Sequence, residues 1–224
     1  MTVNERLTSY LHSLDRGNGE LLDRIEAEAV RDFVPIIRKE TGALLKTLVA
    51  LKQPRAILEV GTAVGYSALL MGRAMPAGCH LTTIEKYEKR LPIARENFRR
   101  ASMEDRITLL EGDAEEILAG LTGTWDFIFM DAAKGQYLHW LPMLLRLMPE
   151  GGVLISDNVL QDGDLIESRY AVERRNRTIH SRMREYLYAL THMEELETSV
   201  LPIGDGVTVS VKKSAGRQTD PAES

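Results

Sequence analysis

The sequence predicts an α/β fold: a seven-stranded, mainly parallel β-sheet with helices on both faces, preceded by helices and closed by a C-terminal antiparallel hairpin. Three observations support this. Residues 3–14 and 20–52 have the periodicity of amphipathic helices. After Pro54, short apolar runs alternate five times with longer amphipathic stretches, which is typical of strand-helix units in a parallel sheet. Two β-rich runs around a Gly-Asp-Gly turn then indicate a hairpin.

Each element has its own signal along the chain. The two early helical stretches are separated by residues 16–19, whose two glycines favour a turn. The five strand-like runs are AILEV (56–60), HLTTIE (80–85), RITLLEG (106–112), WDFIFMD (125–131) and GGVLISDN (151–158). The helical stretches that follow them are 66–75, 87–101, 114–120, 136–148 and about 165–191. The hairpin is predicted from LETSVLPIG (196–204) and GVTVSVKK (206–213).

The length and composition indicate one domain. A chain of 224 residues, of which 44% are hydrophobic, can bury one sizeable core. We therefore expect residues 1–213 to form a single domain, with residues 1–52 as a helical cap within it. The last segment, 214–224, is small, polar and contains proline, which predicts disorder.

Charge and cysteine content narrow the function classes. The net charge of -5 disfavours a protein that coats nucleic acid indiscriminately, because such binding needs a broad excess of Lys and Arg. Cys79 is the only cysteine and has no partner for an intramolecular disulfide, so we expect a cytoplasmic protein. The N-terminus lacks the pattern of a signal peptide, and no run reaches the roughly 18 apolar residues that a bilayer requires. We expect neither export nor membrane insertion.

Polar residues at the strand ends are the first candidate site residues, because ligands of open α/β sheets bind beyond the carboxyl ends of the strands. The first strand closes through residues 58–67, where Gly61 and Gly65 permit a tight turn and a close approach to a ligand. The second strand ends on Glu85, at a spacing that suits a carboxylate bonding ribose hydroxyls. The third is followed by Asp113, which would lie next to an adenine. Together these residues predict an adenosine pocket.

The glycine loop also indicates the kind of nucleoside. Ala63 stands where dinucleotide-binding loops have their middle glycine, and no G-K-[ST] follows, so a pyrophosphate ligand is disfavoured. Glu59, just before the loop, favours a positively charged ligand. A sulfonium that carries an amino-acid ammonium group would fit both observations.

The fourth and fifth strands end in oxygen-bearing side chains. Asp131 follows the fourth strand, and Asp157 and Asn158 follow the fifth. Two carboxylates and an amide oxygen, without His or Cys, suit Mg²⁺ or a related divalent cation. Alternatively, Asp131 caps a helix and the Asp157-Asn158 pair forms a turn. That alternative explains each feature alone better than it explains both at adjacent strand ends.

Lys134 lies three residues after Asp131, close enough to reach a group bound at such a cation. A lysine that is partly removed from water there is a candidate general base. The alternative is an ordinary solvated surface lysine.

Five motifs resemble the class I S-adenosylmethionine-dependent O-methyltransferases of the catechol and caffeoyl-CoA type, over about residues 30–213. They are E-x-G-x-x-x-G-Y-S (59–67), TIE (83–85), GDA (112–114), MDAAKGQY (130–137) and SDNV (156–159). The resemblance implies a Rossmann-like fold, with S-adenosylmethionine as the methyl donor and a bound divalent cation.

The resemblance also implies roles for individual residues. The cation would be held by Asp131, Asp157 and Asn158, and the catalytic residues would be Lys134, which takes the substrate proton, and Asp131. The residues implied to line the cofactor are Val34, Glu59, Gly61, Ser67, Glu85, Asp113, Ala114 and Asp131.

Within this family, one bacterial branch is most similar, the tRNA 5-hydroxyuridine methyltransferases. The shared features are the ending LPIGDGVTVSVKK (201–213), the DAAKGQY form of the metal loop and an arginine-rich final helix. The resemblance implies methylation of the 5-hydroxyl of 5-hydroxyuridine at the tRNA wobble position, which forms 5-methoxyuridine, and it implies a homodimer. The chemistry is consistent, because O5 and O4 of this base form a vicinal oxygen pair that can chelate Mg²⁺ as a catechol does.

The arginine-rich stretch 174–184 bears on the substrate, since it holds five arginines and no acid. Planar guanidinium groups suit phosphates and stacked bases, which makes Arg174, Arg175, Arg177 and Arg182 candidate substrate residues. The alternative is a solvated helix face or a subunit contact. Ala132 and Ala133 are small where catechol-type enzymes have bulkier residues, which favours a mouth wide enough for an extruded base.

Three competing functions remain. A catechol or phenylpropanoid O-methyltransferase would use the same site. A non-catalytic nucleoside-binding or RNA-binding module is disfavoured by the intact set Asp131, Lys134, Asp157 and Asn158. A nicotinamide dehydrogenase is disfavoured by Ala63. Tyr137 and Trp140 recur at helical spacing and are interpreted as core residues.

Overall fold

The structure, a computed structural model, describes residues 5–168 and 170–214. Its strands are β1 (Ala56–Val60), β2 (His80–Glu85), β3 (Ile107–Glu111), β4 (Phe127–Met130), β5 (Val153–Ser156), β6 (Leu196–Leu201) and β7 (Val207–Lys212). They form one seven-stranded sheet in the order β3-β2-β1-β4-β5-β7-β6. The first five strands run parallel, and β7 is antiparallel to both β5 and β6. The predicted mainly parallel sheet with a C-terminal hairpin is confirmed.

The helices are α1 (Glu5–Ser13), α2 (Glu20–Arg31), α3 (Lys39–Lys52), α4 (Tyr66–Ala74), α5 (Leu91–Arg100), α6 (Ala114–Gly120), α7 (Tyr137–Leu147) and α8 (Arg177–His192). They cover the sheet on both faces. Since successive strand residues point to opposite sides, each strand contributes side chains to the core on either face. Phe127 and Phe129 of β4 belong to the core under α3 and α4, whereas Ile128 and Met130 belong to the core under α7 and α8. Burial on both faces explains why the parallel strands are almost continuously apolar.

The prediction of one helical stretch over residues 20–52 is wrong at its centre. α2 ends at Arg31 and α3 begins at Lys39, with a non-helical connection between them. Pro35 explains the break, because it has no N–H to donate and disfavours helical geometry in the residue before it. Phe33 also adopts a left-handed conformation with φ 55° and is 93% exposed. This connection reaches the carboxyl edge of the sheet.

The last helix is shorter than predicted. α8 begins at Arg177, and the preceding residues form short 3-10 turns at Gln161–Ile166 and Arg174–Asn176. Between these turns, the Ser168 hydroxyl accepts a hydrogen bond from the Tyr170 N–H at 3.3 Å. Local side-chain bonds of this kind compete with the helical hydrogen bonds.

Two further predictions concern the chain as a whole. The described residues contain no helix that is both long enough and apolar enough to cross a membrane. The segment predicted to be disordered, 214–224, lies outside the described residues except for Ser214.

Candidate active site

A pocket of about 550 Å³ lies at the carboxyl ends of the five parallel strands. Its wall takes residues from the loop after each of these strands and from residues 35–38, between α2 and α3. The parallel arrangement places all five loops at one edge of the sheet, where open α/β folds bind ligands. The predicted site residues in this wall are Gly61, Ser67, Glu85, Asp113, Ala114, Asp131, Lys134, Asp157 and Asn158.

The other predicted site residues lie outside the wall. Val34 immediately precedes Pro35, which does line the pocket, and Glu59 is fully buried next to Val60, which also lines it. The side chain of Arg177 turns to the carbonyls of Tyr170 and Val172. Arg174, Arg175 and Arg182 are exposed. The binding roles predicted for these six residues stay predictions.

Gly61 brings the loops after β1 and β4 into backbone contact. Its φ is 106°, and a Cβ atom built on it would lie 2.0 Å from the Asp131 carbonyl oxygen. The amides of Gly61 and Thr62 both donate to the Ile84 carbonyl, at 3.0 and 3.1 Å. Only a residue without a side chain fits here, so the glycine loop is held against the loop that carries Asp131.

The variant Gly61→Ala is expected to lower the free energy of unfolding by roughly 2–4 kcal/mol, because a methyl group would overlap a backbone oxygen at a positive φ. Urea unfolding followed by circular dichroism measures this change. Gly78→Ala is the matched control, since a Cβ atom at Gly78 meets nothing within 4 Å. Equal losses in the two variants would contradict the close contact.

Glu85 fixes the glycine loop from the neighbouring strand. Its Oε2 accepts the Ala63 N–H at 2.7 Å, and its Oε1 accepts those of Lys86 at 3.0 Å and Tyr87 at 2.8 Å. A carboxylate has about four lone-pair positions, so it retains capacity for a ligand hydroxyl. The predicted contact to ribose is therefore compatible with this structural role.

Asp113 occupies the turn into α6. Its Oδ1 caps the helix by accepting the Glu115 N–H at 2.9 Å, and its Oδ2 faces Lys86 Nζ at 3.3 Å. The Glu115 amide and then Lys86 lower the pKa of this carboxyl. Asp113 is thus an ionised acceptor at the end of the pocket where Ala114 presents its backbone.

Glu59 supports the wall from behind. The Thr83 hydroxyl donates to its Oε2 at 2.5 Å, and the Thr62 hydroxyl lies 2.6 Å from that of Thr83. Burial raises the pKa of Glu59 to about 7, although the hydroxyls of Ser67 and Thr83 oppose the shift. A cationic group bound beyond this wall would favour the ionised form.

Asp131, Asp157 and Asn158 all line the pocket, at the ends of the neighbouring strands β4 and β5. The backbone N–H of Asp157 donates to the Met130 carbonyl at 3.0 Å, and the backbone N–H of Asn158 donates to Asp157 Oδ1 at 2.8 Å. Asn158 has φ 58°, and its Nδ2 donates to Asp205 Oδ2 at 3.0 Å. With the amide nitrogen engaged, the Asn158 side-chain oxygen is the atom that remains for a ligand.

The two aspartates are in an unfavourable electrostatic setting. Burial raises the pKa of Asp131 to about 6 and that of Asp157 to about 7. Asp205 contributes to both of these upward pKa shifts, and Lys134 opposes both. A bound cation would relieve this repulsion, and the oxygen donors suit Mg²⁺. Within residues 5–168 and 170–214, no group of three His, Cys, Asp or Glu forms a metal site; the predicted set has two acids and one amide.

Asp205 and Arg38 were missed as site residues. Asp205 lies in the turn before β7, and antiparallel pairing of Ser156 with Thr208 brings that turn to the carboxyl end of β5. Arg38 forms an ion pair with Asp205, and both line the pocket. An acid between two glycines ahead of an antiparallel strand was the available signal for Asp205. For Arg38 the available signal was Pro35, because a proline indicates a break in the helix at the connection that contains Arg38.

Lys134 opens a 3-10 turn immediately after β4 and is partly buried in the pocket wall. The next residue, Gly135, accepts a hydrogen bond from Arg182 of α8 at 3.0 Å. The turn that carries Lys134 is therefore held by α8. The site as a whole is one pocket whose wall combines the glycine loop, the acids Glu85 and Asp113, and the group Asp131, Lys134, Asp157 and Asn158.

The comparison with protein families gives the class of protein. A family model described as O-methyltransferase matches residues 12–213. The chain belongs to the O-methyltransferase family. The predicted enzyme class, an S-adenosylmethionine-dependent O-methyltransferase, is confirmed.

Individual relatives agree with this assignment. The caffeoyl-CoA O-methyltransferase of Populus kitakamiensis is 31% identical over 221 residues, which cover 92% of this chain and 93% of that one. A catechol O-methyltransferase of Niastella koreensis is 36% identical over 130 residues, 56% of this chain and 59% of the relative. The structure of a Bacillus cereus O-methyltransferase in complex with SAH superposes with a TM-score of 0.80 at 26% identity, covering 93% of this chain and 97% of that one. The SAH-bound Podospora anserina methyltransferase PaMTH1 gives 0.83 at 26% identity, with 94% and 95% covered.

Proposed function

We propose that this protein transfers the methyl group of S-adenosylmethionine to a hydroxyl that lies beside a second oxygen, with Mg²⁺ or another divalent cation held by Asp131, Asp157 and Asn158. The observation that carries the proposal is that these three side chains and Lys134 line the same pocket as the glycine loop. A donor in one half of the pocket would therefore face an acceptor in the other.

Different residues of the cofactor half would bind different parts of S-adenosylmethionine. The glycine loop at Gly61 would contact the amino-acid end, close to Ser67. Glu85 would accept the ribose hydroxyls, and Asp113 with the Ala114 backbone would bind the adenine.

The residues of the other half carry out the transfer. A divalent cation bound there would lower the pKa of the acceptor hydroxyl and fix its orientation. Lys134 takes the hydroxyl proton, the oxygen attacks the methyl carbon, and the carbon–sulfur bond breaks as S-adenosylhomocysteine leaves. Orientation and charge stabilisation supply most of the rate enhancement, since no covalent enzyme intermediate is needed.

The substrate we favour is 5-hydroxyuridine at the tRNA wobble position, methylated to 5-methoxyuridine. Its vicinal O5 and O4 suit an oxygen-chelating site. Ala132 and Ala133, both small, line the wall, and Arg174, Arg175 and Arg182 are exposed residues outside it. We also propose a homodimer, which the exposed apolar side chains of Leu7, Tyr10 and Leu11 on α1 support.

A small-molecule acceptor is the second candidate. It is favoured by the relatives named catechol O-methyltransferase and caffeoyl-CoA O-methyltransferase. Both acceptors place two neighbouring oxygens at the cation, so the same residues would serve either.

The two candidates are separated by incubation with methyl-labelled S-adenosylmethionine and one acceptor at a time. The acceptors are tRNA that carries 5-hydroxyuridine, catechol and caffeoyl-CoA, each with Mg²⁺ and with EDTA. A tRNA transcript with plain uridine is the matched control, because it lacks only the acceptor hydroxyl. We expect EDTA-sensitive label in the hydroxylated tRNA. Label confined to catechol or caffeoyl-CoA would overturn the tRNA assignment, and label unaffected by EDTA would overturn the cation requirement.

Cation binding is expected to tighten as the pH rises from about 6 to about 8, by on the order of tenfold per pH unit for each proton that binding displaces. Asp131 and Asp157 have pKa values raised from 3.8 to about 6 and about 7. A carboxyl whose pKa is raised by folding contributes stability to the cation-free fold below about pH 4. This contribution is lost as the pH rises through the pKa that the carboxyl has in the folded state. Thermal unfolding with and without Mg²⁺ across this range measures the linkage. A Mg²⁺-induced shift that is the same at every pH would contradict it.

A further inference from the structure

We propose that Tyr137 is a positioning residue for the cation site, because its buried hydroxyl sets the spacing of the two loops that carry Asp131 and Asp157. This inference rests on the proposed cation-dependent function. It assigns a role to a side chain whose helical spacing alone predicts only a core residue.

The contacts of one oxygen atom carry the inference. Tyr137 is 0% exposed, and its hydroxyl accepts the Ala132 N–H at 3.2 Å. The same hydroxyl lies 3.3 Å from the Met130 carbonyl and 3.3 Å from the Asp157 carbonyl, and its single proton is donated to one or the other of these two acceptors. Met130 and Ala132 flank Asp131. A single phenol therefore contacts the backbone on both sides of the first acid and the backbone of the second.

The position of these contacts matters because the sheet ladder stops there. Met130 and Ser156 are the last paired residues of β4 and β5. Beyond them, the Asp157 amide still bonds to the Met130 carbonyl at 3.0 Å. Tyr137 supplies the next connection, between the loops that follow these two strands.

The phenol ring is itself fixed by the core. Tyr137 packs edge to face on Tyr186 of α8, with ring centroids 5.5 Å apart and an interplanar angle of 74°. Tyr186 is also 0% exposed, and its hydroxyl lies 2.6 Å from Ser156 Oγ. Because α7 and α8 pack the two rings together in the core, the position of the Tyr137 hydroxyl next to the loops is fixed.

Rigid spacing favours a small cation. Mg²⁺ requires near-ideal octahedral geometry with ligand distances of about 2.0–2.1 Å, whereas Ca²⁺ accepts longer and more variable ones. Removal of a group that orients the ligands typically weakens metal binding by about 10–100-fold. Loss of the hydroxyl should therefore weaken Mg²⁺ binding more than Ca²⁺ binding.

The test is isothermal titration of the full chain with Mg²⁺, with Ca²⁺ and with S-adenosylhomocysteine. We expect Tyr137→Phe to weaken Mg²⁺ binding by about tenfold or more, to lower the preference for Mg²⁺ over Ca²⁺, and to change S-adenosylhomocysteine binding by less than about twofold. Tyr186→Phe is the matched control. It removes a hydroxyl from the same buried ring pair, but one that contacts the Ser156 side chain instead of the loop backbones, so its effect should be smaller.

The outcomes distinguish this inference from the proposed function. A wild-type protein that binds no divalent cation would refute the proposed function. A wild type that binds Mg²⁺, with Tyr137→Phe unchanged or with both phenylalanine variants weakened equally, would overturn the role of Tyr137. Hydrogen exchange of the Ala132 amide in the cation-free wild type tests the same contact without a variant: we expect slow exchange, and exchange at the rate of an open loop would also overturn it.

Discussion

Replacing Asp157 with asparagine is expected to stabilise the cation-free protein and to reduce methyl transfer by a factor on the order of 100 to 1,000. Asp157 is 2% exposed, and burial raises its pKa to about 7, with Asp131 and Asp205 adding to the shift. At about pH 8 the folded chain thus holds an ionised carboxylate that the unfolded chain would ionise more easily. Asparagine removes that charge and can keep an oxygen acceptor for the Asn158 amide. The gain in unfolding free energy should be roughly 1–3 kcal/mol.

The same substitution removes one of the two charged ligands of the proposed cation. We therefore expect Mg²⁺ to raise the melting temperature of the wild type and to leave that of Asp157→Asn nearly unchanged. Asp105→Asn is the matched control, because it makes the same chemical change at an exposed side chain. Thermal unfolding with and without Mg²⁺, together with initial methylation rates, measures both effects. A variant that is less stable than wild type without cation would contradict the electrostatic description of the site.

Much of the site could be predicted because strand ends carry strong local signals. Glu85, Asp131 and Asp157 each follow a short apolar run, and parallel strands bring their carboxyl ends to one edge. The alternation of strands and helices predicted the sheet for the same reason. In these cases the sequence position alone determines the place in the fold.

The residues that were missed depend on contacts between distant segments. Arg38 reaches the pocket because Pro35 breaks a stretch whose periodicity indicates one continuous helix, and its partner Asp205 lies 167 positions further along the chain. Tyr137 has the spacing of a core residue, and its hydroxyl contacts depend on where the loops after β4 and β5 place their backbone groups. Periodicity reports which face of an element is buried, and it does not report which buried polar atom meets which backbone group.

Replacing Lys134 with methionine is expected to lower kcat by about 10²–10⁴-fold, because methionine has a similar length and cannot accept the substrate proton. Binding of S-adenosylhomocysteine should stay near the wild-type value, since Lys134 belongs to the proposed acceptor half of the pocket. Lys89→Met is the matched control, because it removes the same charge from an exposed lysine.

The cation affinity of Lys134→Met is expected to increase, whereas its turnover is expected to decrease. Lys134 lies close enough to Asp131 and Asp157 to lower the pKa of both. Its ammonium group therefore also repels a cation held by those carboxylates. Once both acids are ionised, above about pH 8, Lys134→Met should bind Mg²⁺ more tightly than the wild type while it turns over more slowly. If titration calorimetry showed weaker Mg²⁺ binding together with the slower turnover, Lys134 would be supporting the cation site and not acting as the base.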